Sequence, residues 1–452
     1  MAVRTTVLLG NAVSQNPLPT CQNPSVVLRG EYNGKPASFG LDANTLSKHM
    51  MLVGGTGCGK STLFYHLIEQ TRKSMTKDDV MIVFDSKGDF YSKFYRPGDA
   101  VIGNSKQYRD ISEHWNIFKE ILADGWDDRE VLLNTQEICK GIFDERTKKS
   151  GNNPFFPNAA RDLLAAILVV FIRMGYADKE FVKEFFYNKN LKEWLDGCTA
   201  QAIYNLLKDV DDMQAVLSYI GSSGNSIGND QDEDVQVGEQ ALGVLSELFS
   251  VIRDIFIGVF AEQGGFSMRN FVRKKGGRIL FIEYDLAIGS VLTPIYKLLF
   301  DLALKEALGR SKSQGNVYFF CDEFKLLPNL GHIDDAVNFG RSLGVKVFAG
   351  IQSIEQLFEI YGESRGKNLA AGFSTIIAFR ANDVSTRQYM SNLYGKNIVL
   401  EQYRKIDNTM VEEKRDGSTV EDWDMNNLRV GEAIVSLPFT NPFRFYFEMY
   451  NK

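Results

Sequence analysis

The stretch that most constrains this chain runs from His49 to Leu63, HMMLVGGTGCGKSTL. An apolar run reads as a buried strand, a glycine-dense turn follows, and Leu63, Phe64, Leu67 and Ile68 recur with helical period. Between strand and helix, Gly54, Gly55, Thr56, Gly57, Cys58, Gly59, Lys60 and Ser61 fit the pattern G-x-x-x-x-G-K-[ST] in full, with Thr62 continuing into the helix. Glycines let backbone N–H groups turn inward around a triphosphate where side chains would block its approach. A helix starting near Lys60 points its positive dipole end at the same anion. In this pattern Lys60 reaches the β- and γ-phosphates and the Ser61 hydroxyl ligates Mg²⁺. The stretch predicts ATP or a related triphosphate as ligand, with Mg²⁺ as its companion.

A chain of 452 residues exceeds one compact core and predicts more than one structural unit. Its net charge of −6 supplies no global pull toward nucleic acid, so any DNA contact has to come from a local basic surface. The 5 cysteines and 4 histidines are scattered without metal-ligand spacing, which argues against a zinc site or a disulfide framework and for a reducing compartment. The N-terminus lacks the apolar core of a signal peptide. The most apolar run, Leu163 to Ile172, is about half the roughly twenty residues a membrane span needs, so it reads as a buried helix in a soluble protein.

Along the chain, Asn33-Gly34 between Val26–Leu28 and Ala37–Phe39 predicts a tight hairpin leading into the phosphate-loop strand. Val80–Phe84 reads as a parallel-sheet strand ending in Asp85-Ser-Lys-Gly-Asp89. Asp85 and Lys87 either lie near the phosphates or belong to an Asx turn that closes the strand. From 126 to 262 helical periodicity dominates, apart from a polar glycine-rich loop that starts at Gly221. Strand character resumes at Arg278–Glu283, Asn316–Glu323, Gly344–Gly350 and Ser374–Arg380, with helices between; the charged stretch Asp407–Asp424 reads as a mobile loop. Strands alternating with helices predict an α/β fold with a doubly wound, mostly parallel sheet and an inserted all-α domain. The expected divisions are a hairpin region (1–48), the first part of the nucleotide-binding domain (49–125), the all-α domain (126–262) and the second part of the nucleotide-binding domain (263–452).

Phosphoryl transfer to water needs one carboxylate to hold the magnesium shell and another to orient or deprotonate the attacking water. Asp322 and Glu323, at the end of the apolar strand Val317–Cys321, suit these roles in that order. Gln352, just after the strand Val345–Gly350, is placed to sense a γ-phosphate. Arg341 is a candidate for stabilising transition-state charge on a neighbouring subunit. Either of the two reads equally well as a polar side chain that simply faces solvent.

Several separated motifs then resemble one family. Asp322-Glu323-Phe324, Leu330-Gly331, Gly340-Arg341-Ser342-Leu343-Gly344, Gln352-Ser353 and Gln356-Leu357 to Tyr361-Gly362 resemble the ATPase core of type IV secretion coupling proteins. Asp85-Ser-Lys-Gly-Asp89-Phe90, Lys93-Phe94-Tyr95, His114-Trp115-Asn116 and Phe155–Arg161 are similar to the TraD/TrwB-like branch, within the FtsK/HerA superfamily. The resemblance implies a RecA-like P-loop motor, a homo-hexameric ring that spends ATP on moving DNA toward a secretion channel. It makes Arg341 a finger acting in trans and Gln352 the phosphate sensor. The implied partners are DNA, the relaxase and other relaxosome proteins facing the all-α domain, and channel ATPases. Members usually begin with two membrane-spanning helices; none is legible here, so a separate membrane anchor subunit, or none, is expected, with the protein cytoplasmic or peripheral at the inner face of the membrane. The densest basic run, Arg273–Arg278, and Lys183, Lys189 and Lys192 are the candidates for DNA contact. Two rival readings are a free DNA pump of the FtsK/HerA type and an ATP-switched recruitment module that does no pumping.

Overall fold

The computed structural model describes residues 4–221, 237–309, 315–406 and 408–451. They form two compact units: Met1–Asp99, Lys275–Phe281 and Ala307–Lys452 make the first, Ala100–Lys274 and Ile282–Glu306 the second. In chain order the strands are β1 (Arg4–Gly10), β2 (Val26–Tyr32), β3 (Lys35–Leu41), β4 (Met50–Val53), β5 (Val80–Asp85) and β6 (Ala100–Gly103). After the helical stretch come β7 (Arg278–Glu283), β8 (Val317–Cys321), β9 (Val345–Ile351) and β10 (Thr375–Phe379). The last four are β11 (Lys396–Arg404), β12 (Met410–Ser418), β13 (Glu432–Ser436) and β14 (Phe443–Phe447).

The main sheet of the first unit runs β3-β2-β14-β13-β10-β4-β9-β8-β5-β7. Its centre is parallel, β10 with β4, β4 with β9, β9 with β8 and β8 with β5. Every residue of β4, β5, β8, β9 and β10 is buried. A strand covered on both faces has no polar side to show, which is why these segments read as apolar runs with polar residues only near their ends, at Asp85, Lys346 and Thr375. Leu63, Phe64, Leu67 and Ile68 of the helix Lys60–Ser74 form its buried stripe, and Phe320 stacks on Phe348 at 4.2 Å across β8 and β9. On one side the sheet turns antiparallel through β13, β14, β2 and β3. The β2–β3 hairpin turns at Asn33 (φ 52°) and Gly34 (φ 72°), as the Asn-Gly pair predicts.

The stretch expected as a mobile loop is ordered on either side of residue 407, which itself lies outside the described residues. β1, β11 and β12 make a small antiparallel sheet, and a helix, Asp422–Asn426, follows with a capping box between Glu421 and Asp424. Charge misled the reading because the charges pair. Arg415 bonds Glu401 across the ladder and Glu421 beyond it at 2.8 Å each, and Gln402 donates to Glu412. Cross-strand pairs of opposite sign support a sheet whose outer positions carry few apolar side chains.

The second unit is built on helices: Asp128–Lys149 and Glu239–Ile255 pack against Phe155–Ala177. That last helix is the one among the described residues long and apolar enough to cross a membrane, yet 67% of its most apolar window is buried. Packing in a helical core accounts for its composition, as expected for Leu163–Ile172. The His114-Trp115-Asn116 motif proves to be a polar latch. Asn116 donates to the carbonyls of Phe186 and Gly264, and Asn188 to those of Trp115 and Phe260. Glu120, fully buried, accepts from the Trp115 indole and from the backbone of Met268 and Arg269; burial raises its pKa. The expected polar loop from Gly221 onward falls on 222–236, outside the described residues.

His49, at the foot of β4, adopts φ 58° and accepts a 3.1 Å hydrogen bond from the Val347 amide. Burial, with Lys346 adding repulsion, pushes its pKa from 6.5 down to about 4. Between those values the unfolded chain binds a proton that the folded chain refuses, so stability is full above pH 6.5 and is lost on acidification toward pH 4. At pH 5 the expected loss from this group is about 2 kcal/mol. His49→Asn keeps an acceptor and tolerates the positive φ; denaturant melts at pH 7 and pH 5 should show a smaller gap for the variant than for the wild type.

Candidate nucleotide-binding site

The loop Gly54–Gly59 leaves β4 at the centre of the parallel strands and enters the helix Lys60–Ser74. Two of its glycines are dictated by space as well as by backbone angle. Gly54 has φ 153°, and a Cβ there would lie 2.8 Å from Phe379 Cβ and 3.0 Å from the Cys58 sulfur. Gly59 has φ 116°, and its Cβ would meet the Gly431 backbone at 3.1 Å. The Gly431 amide in turn donates to the Cys58 carbonyl at 2.9 Å, holding the loop from the far side. Lys60, 7% exposed, rests its ammonium on the carbonyls of Gly54 (2.5 Å) and Gly55 (3.1 Å). Burial raises the Cys58 thiol's pKa, so it serves as packing rather than as a nucleophile.

Asp322 and Glu323 follow β8, Gln352 follows β9 and Lys87 follows β5. Neighbouring parallel strands thus deliver all four to the carboxyl edge of the sheet, beside the phosphate loop, where open α/β sheets place ligands. Ser61 Oγ donates to Asp322 Oδ2 at 2.8 Å. Asp322 Oδ1 is buried and has no hydrogen-bond partner, an arrangement that suits a hydrated Mg²⁺ beside the Ser61 hydroxyl. The Gln352 amide donates to both Glu323 oxygens, at 3.1 and 3.0 Å, so it fixes the carboxylate's direction. A cavity of about 230 Å³ is lined by Thr56, Gly57, Gly59, Lys60, Ser61, Thr62, Lys87, Asp322, Glu323 and Gln352, together with Val430, Gly431, Phe447 and Met449.

The last four are absent from the sequence reading. Val430 and Met449, 57% and 53% exposed, add apolar side chains to the lining from just before β13 and just after β14, far down the chain. No motif marks them. The paired alternatives for Asp85 and Lys87 separate: Asp85, buried, accepts from the amides of Lys87, Gly88, Phe90 and Tyr91 and closes the turn, while Lys87 faces the cavity. Burial raises the Asp85 pKa, and the backbone bonds oppose it. Arg341 does not line the cavity; it sits in the turn Gly340–Leu343 and donates to Asn44 at 2.7 Å.

The basic run is largely committed within the protein. Arg273 bonds Glu306 and Asp124 at 2.7 and 2.6 Å inside the second unit, and Arg278 donates to the Lys275 carbonyl within the first. Lys183 pairs with Glu180 at 2.7 Å, and Lys192 pairs with Asp196.

A phosphate loop, a Ser–Asp pair and a Gln–Glu pair on one sheet edge define a nucleotide-binding protein of mixed α/β type with a large helical insertion. The family model for the type IV secretion-system coupling protein DNA-binding domain matches residues 35–434; the chain belongs to that family. Coupling protein TraD of Escherichia coli (strain K12) is 24% identical over 403 residues, 86% of this chain and 50% of TraD, so the chain spans about half the length of that relative. Among solved structures, the conjugative coupling protein TrwBdeltaN70 in its unbound monoclinic form matches with a TM-score of 0.70 at 21% identity, covering 94% of this chain and 89% of that one. Plasmid coupling protein TrwB in complex with ADP and Mg²⁺ matches at 0.69 and 20%, covering 96% and 90%. At these identities the likeness is one of fold.

Gly59→Ala tests the cradle. A side chain at φ 116° against the Gly431 backbone should cost about 1–3 kcal/mol, lower the melting temperature and abolish ADP–Mg²⁺ binding in calorimetric titration. Wild-type affinity in this variant would contradict the assigned loop geometry.

Proposed function

We propose that this chain is an ATP-hydrolysing motor of conjugation, working as a ring of six on a doubly wound RecA-like core. It draws DNA from the relaxosome toward a type IV secretion channel at the inner face of the cell membrane. The observation that carries the reading is the Glu323 carboxylate, aimed by two contacts from Gln352 into the same cavity as Lys60 and the Ser61–Asp322 pair. A site built only to hold a nucleotide as a switch has no use for a second, oriented carboxylate. Family membership, and relatives solved with ADP–Mg²⁺ and with an ATP analogue, support it.

In this mechanism the loop amides from Gly55 to Thr62 grip the phosphates, and Lys60 exchanges its carbonyl partners for the β- and γ-phosphate oxygens. Ser61 and Asp322 would hold Mg²⁺, which when bound would neutralise charge on the phosphates. Glu323 orients the attacking water and takes its proton. Gln352 links Glu323 to the end of β9, so a change at the γ-phosphate is felt along that strand. Val430 and Met449 offer an apolar wall for the base. Arg341, on the outside of its own site's cavity, is assigned to the neighbouring subunit's ATP, where a guanidinium stabilises the transition state.

Glu323→Gln should keep ATP bound while lowering turnover on the order of 10²–10³-fold; unchanged hydrolysis would remove Glu323 from its role. Mixing Arg341→Ala chains with wild-type chains should reduce activity more steeply than the fraction of mutant added. Activity that falls only in proportion would count against action in trans.

A further inference from the structure

The nucleotide cavity contains a second lysine besides that of the phosphate loop. Lys87 stands on a turn fixed by Asp85, whose carboxylate, 1% exposed, accepts amides from Lys87 (3.0 Å), Gly88 (2.9 Å), Phe90 (2.8 Å) and Tyr91 (3.3 Å). Such a turn gives the lysine stem a rigid origin at the end of β5. Its ammonium lies 3.5 Å from Asp322 Oδ2, the oxygen that already accepts the Ser61 hydroxyl. Lys60 meanwhile is folded back onto two loop carbonyls. Of the two lysines lining the cavity, Lys87 is therefore the one that faces Asp322; Lys325, which does not line the cavity, lies 3.8 Å from Glu323 Oε1.

The Lys87–Asp322 contact is a resting place rather than a lock. The lysine side chain is 50% exposed and the separation is long for an ion pair, and pairs of that kind contribute little and break readily. An ammonium on a flexible stem, offering three donors, suits a phosphate group as a point charge.

We propose that Lys87 is a catalytic residue that carries its charge from Asp322 to the γ-phosphate of ATP, giving up the carboxylate to Mg²⁺. This rests on the hydrolytic reading of the same cavity. During turnover the water oxygen bonds to the γ-phosphorus, and the bond from that phosphorus to the β–γ bridging oxygen breaks. ADP leaves with the electron pair, and the water's proton passes to Glu323. Lys87 stays protonated throughout and offsets the charge on the transferring group. Its contribution is specific to the triphosphate, since ADP lacks the oxygens it touches.

The test uses the full chain with Lys87→Ala and Lys87→Arg, measuring affinity for ADP–Mg²⁺ and for a non-hydrolysable ATP analogue alongside kcat and KM. With half its side chain in solvent, Lys87 can be truncated without unfolding the protein, which a thermal melt checks. The expected result is ADP affinity within about twofold of wild type, analogue affinity lowered about tenfold, and kcat lowered on the order of 10²-fold, with Lys87→Arg recovering part of each loss. Equal weakening of ADP and analogue would reduce Lys87 to a support for Asp322 and overturn the proposal. So would unaltered kcat in Lys87→Ala beside an active wild type, which leaves the hydrolytic reading standing. A wild-type chain that binds neither nucleotide would overturn both.

Discussion

A single 2.8 Å hydrogen bond from Ser61 to Asp322 joins positions 261 residues apart, and the candidate site depends on it. It ties the first turn of the phosphate-loop helix to the end of β8, a strand buried along its whole length. Because β4, β9, β8 and β5 are adjacent and parallel, their carboxyl ends open on one edge. Each adds a different group there: the loop with Lys60, the Gln352 amide, the Asp322–Glu323 pair and Lys87. Burial of those strands sets the positions of the polar groups, so the apolar core and the chemistry are two aspects of one arrangement. An error of one residue in any of these strands' registers would shift the group it carries out of the cavity.

The two units solve different problems with the same means. In the first, a buried carboxylate organises backbone amides beside the candidate site, as Asp85 does for the Lys87 turn. In the second, Glu120, Asn116 and Asn188 tie backbone groups together around Trp115. A buried polar group needs every partner it can find. These latches explain why a motif such as His114-Trp115-Asn116 is tied to architecture, whereas the Gln352–Glu323 contact leaves its oxygens turned to a cavity.

Much of this is legible in the sequence alone. The strand–loop–helix around Lys60, the acidic end of β8 and the glutamine after β9 are local patterns whose chemistry demands their spacing. The buried strands are marked by their nearly continuous apolar runs, and the hairpin turn by the Asn33-Gly34 pair. What escaped was set by distant parts of the chain. Val430 and Met449 reach the cavity from the far end of the sequence, and no spacing relates them to Gly54. β12 was hidden because its stability lies in paired charges such as Arg415 with Glu401 and Glu421, which read as a solvated loop until register is known. Asp85 and Lys87 could not be separated because one faces inward and the other outward across two positions of a turn. Within the basic run Arg273–Arg278, the pairing of Arg273 with Glu306 and Asp124 is likewise a tertiary fact with no local signal.

The central claim is that ATP cleavage in this cavity is coupled to a nucleic-acid track. The most direct measurement is the steady-state rate of ATP hydrolysis by the purified wild-type chain, titrated with single-stranded and then double-stranded DNA at fixed low salt. The account predicts hydrolysis that rises and saturates with at least one of the two DNAs. A rate that stays at background with ATP bound, whatever DNA is supplied, would contradict it and leave an ATP-gated recruitment module in its place.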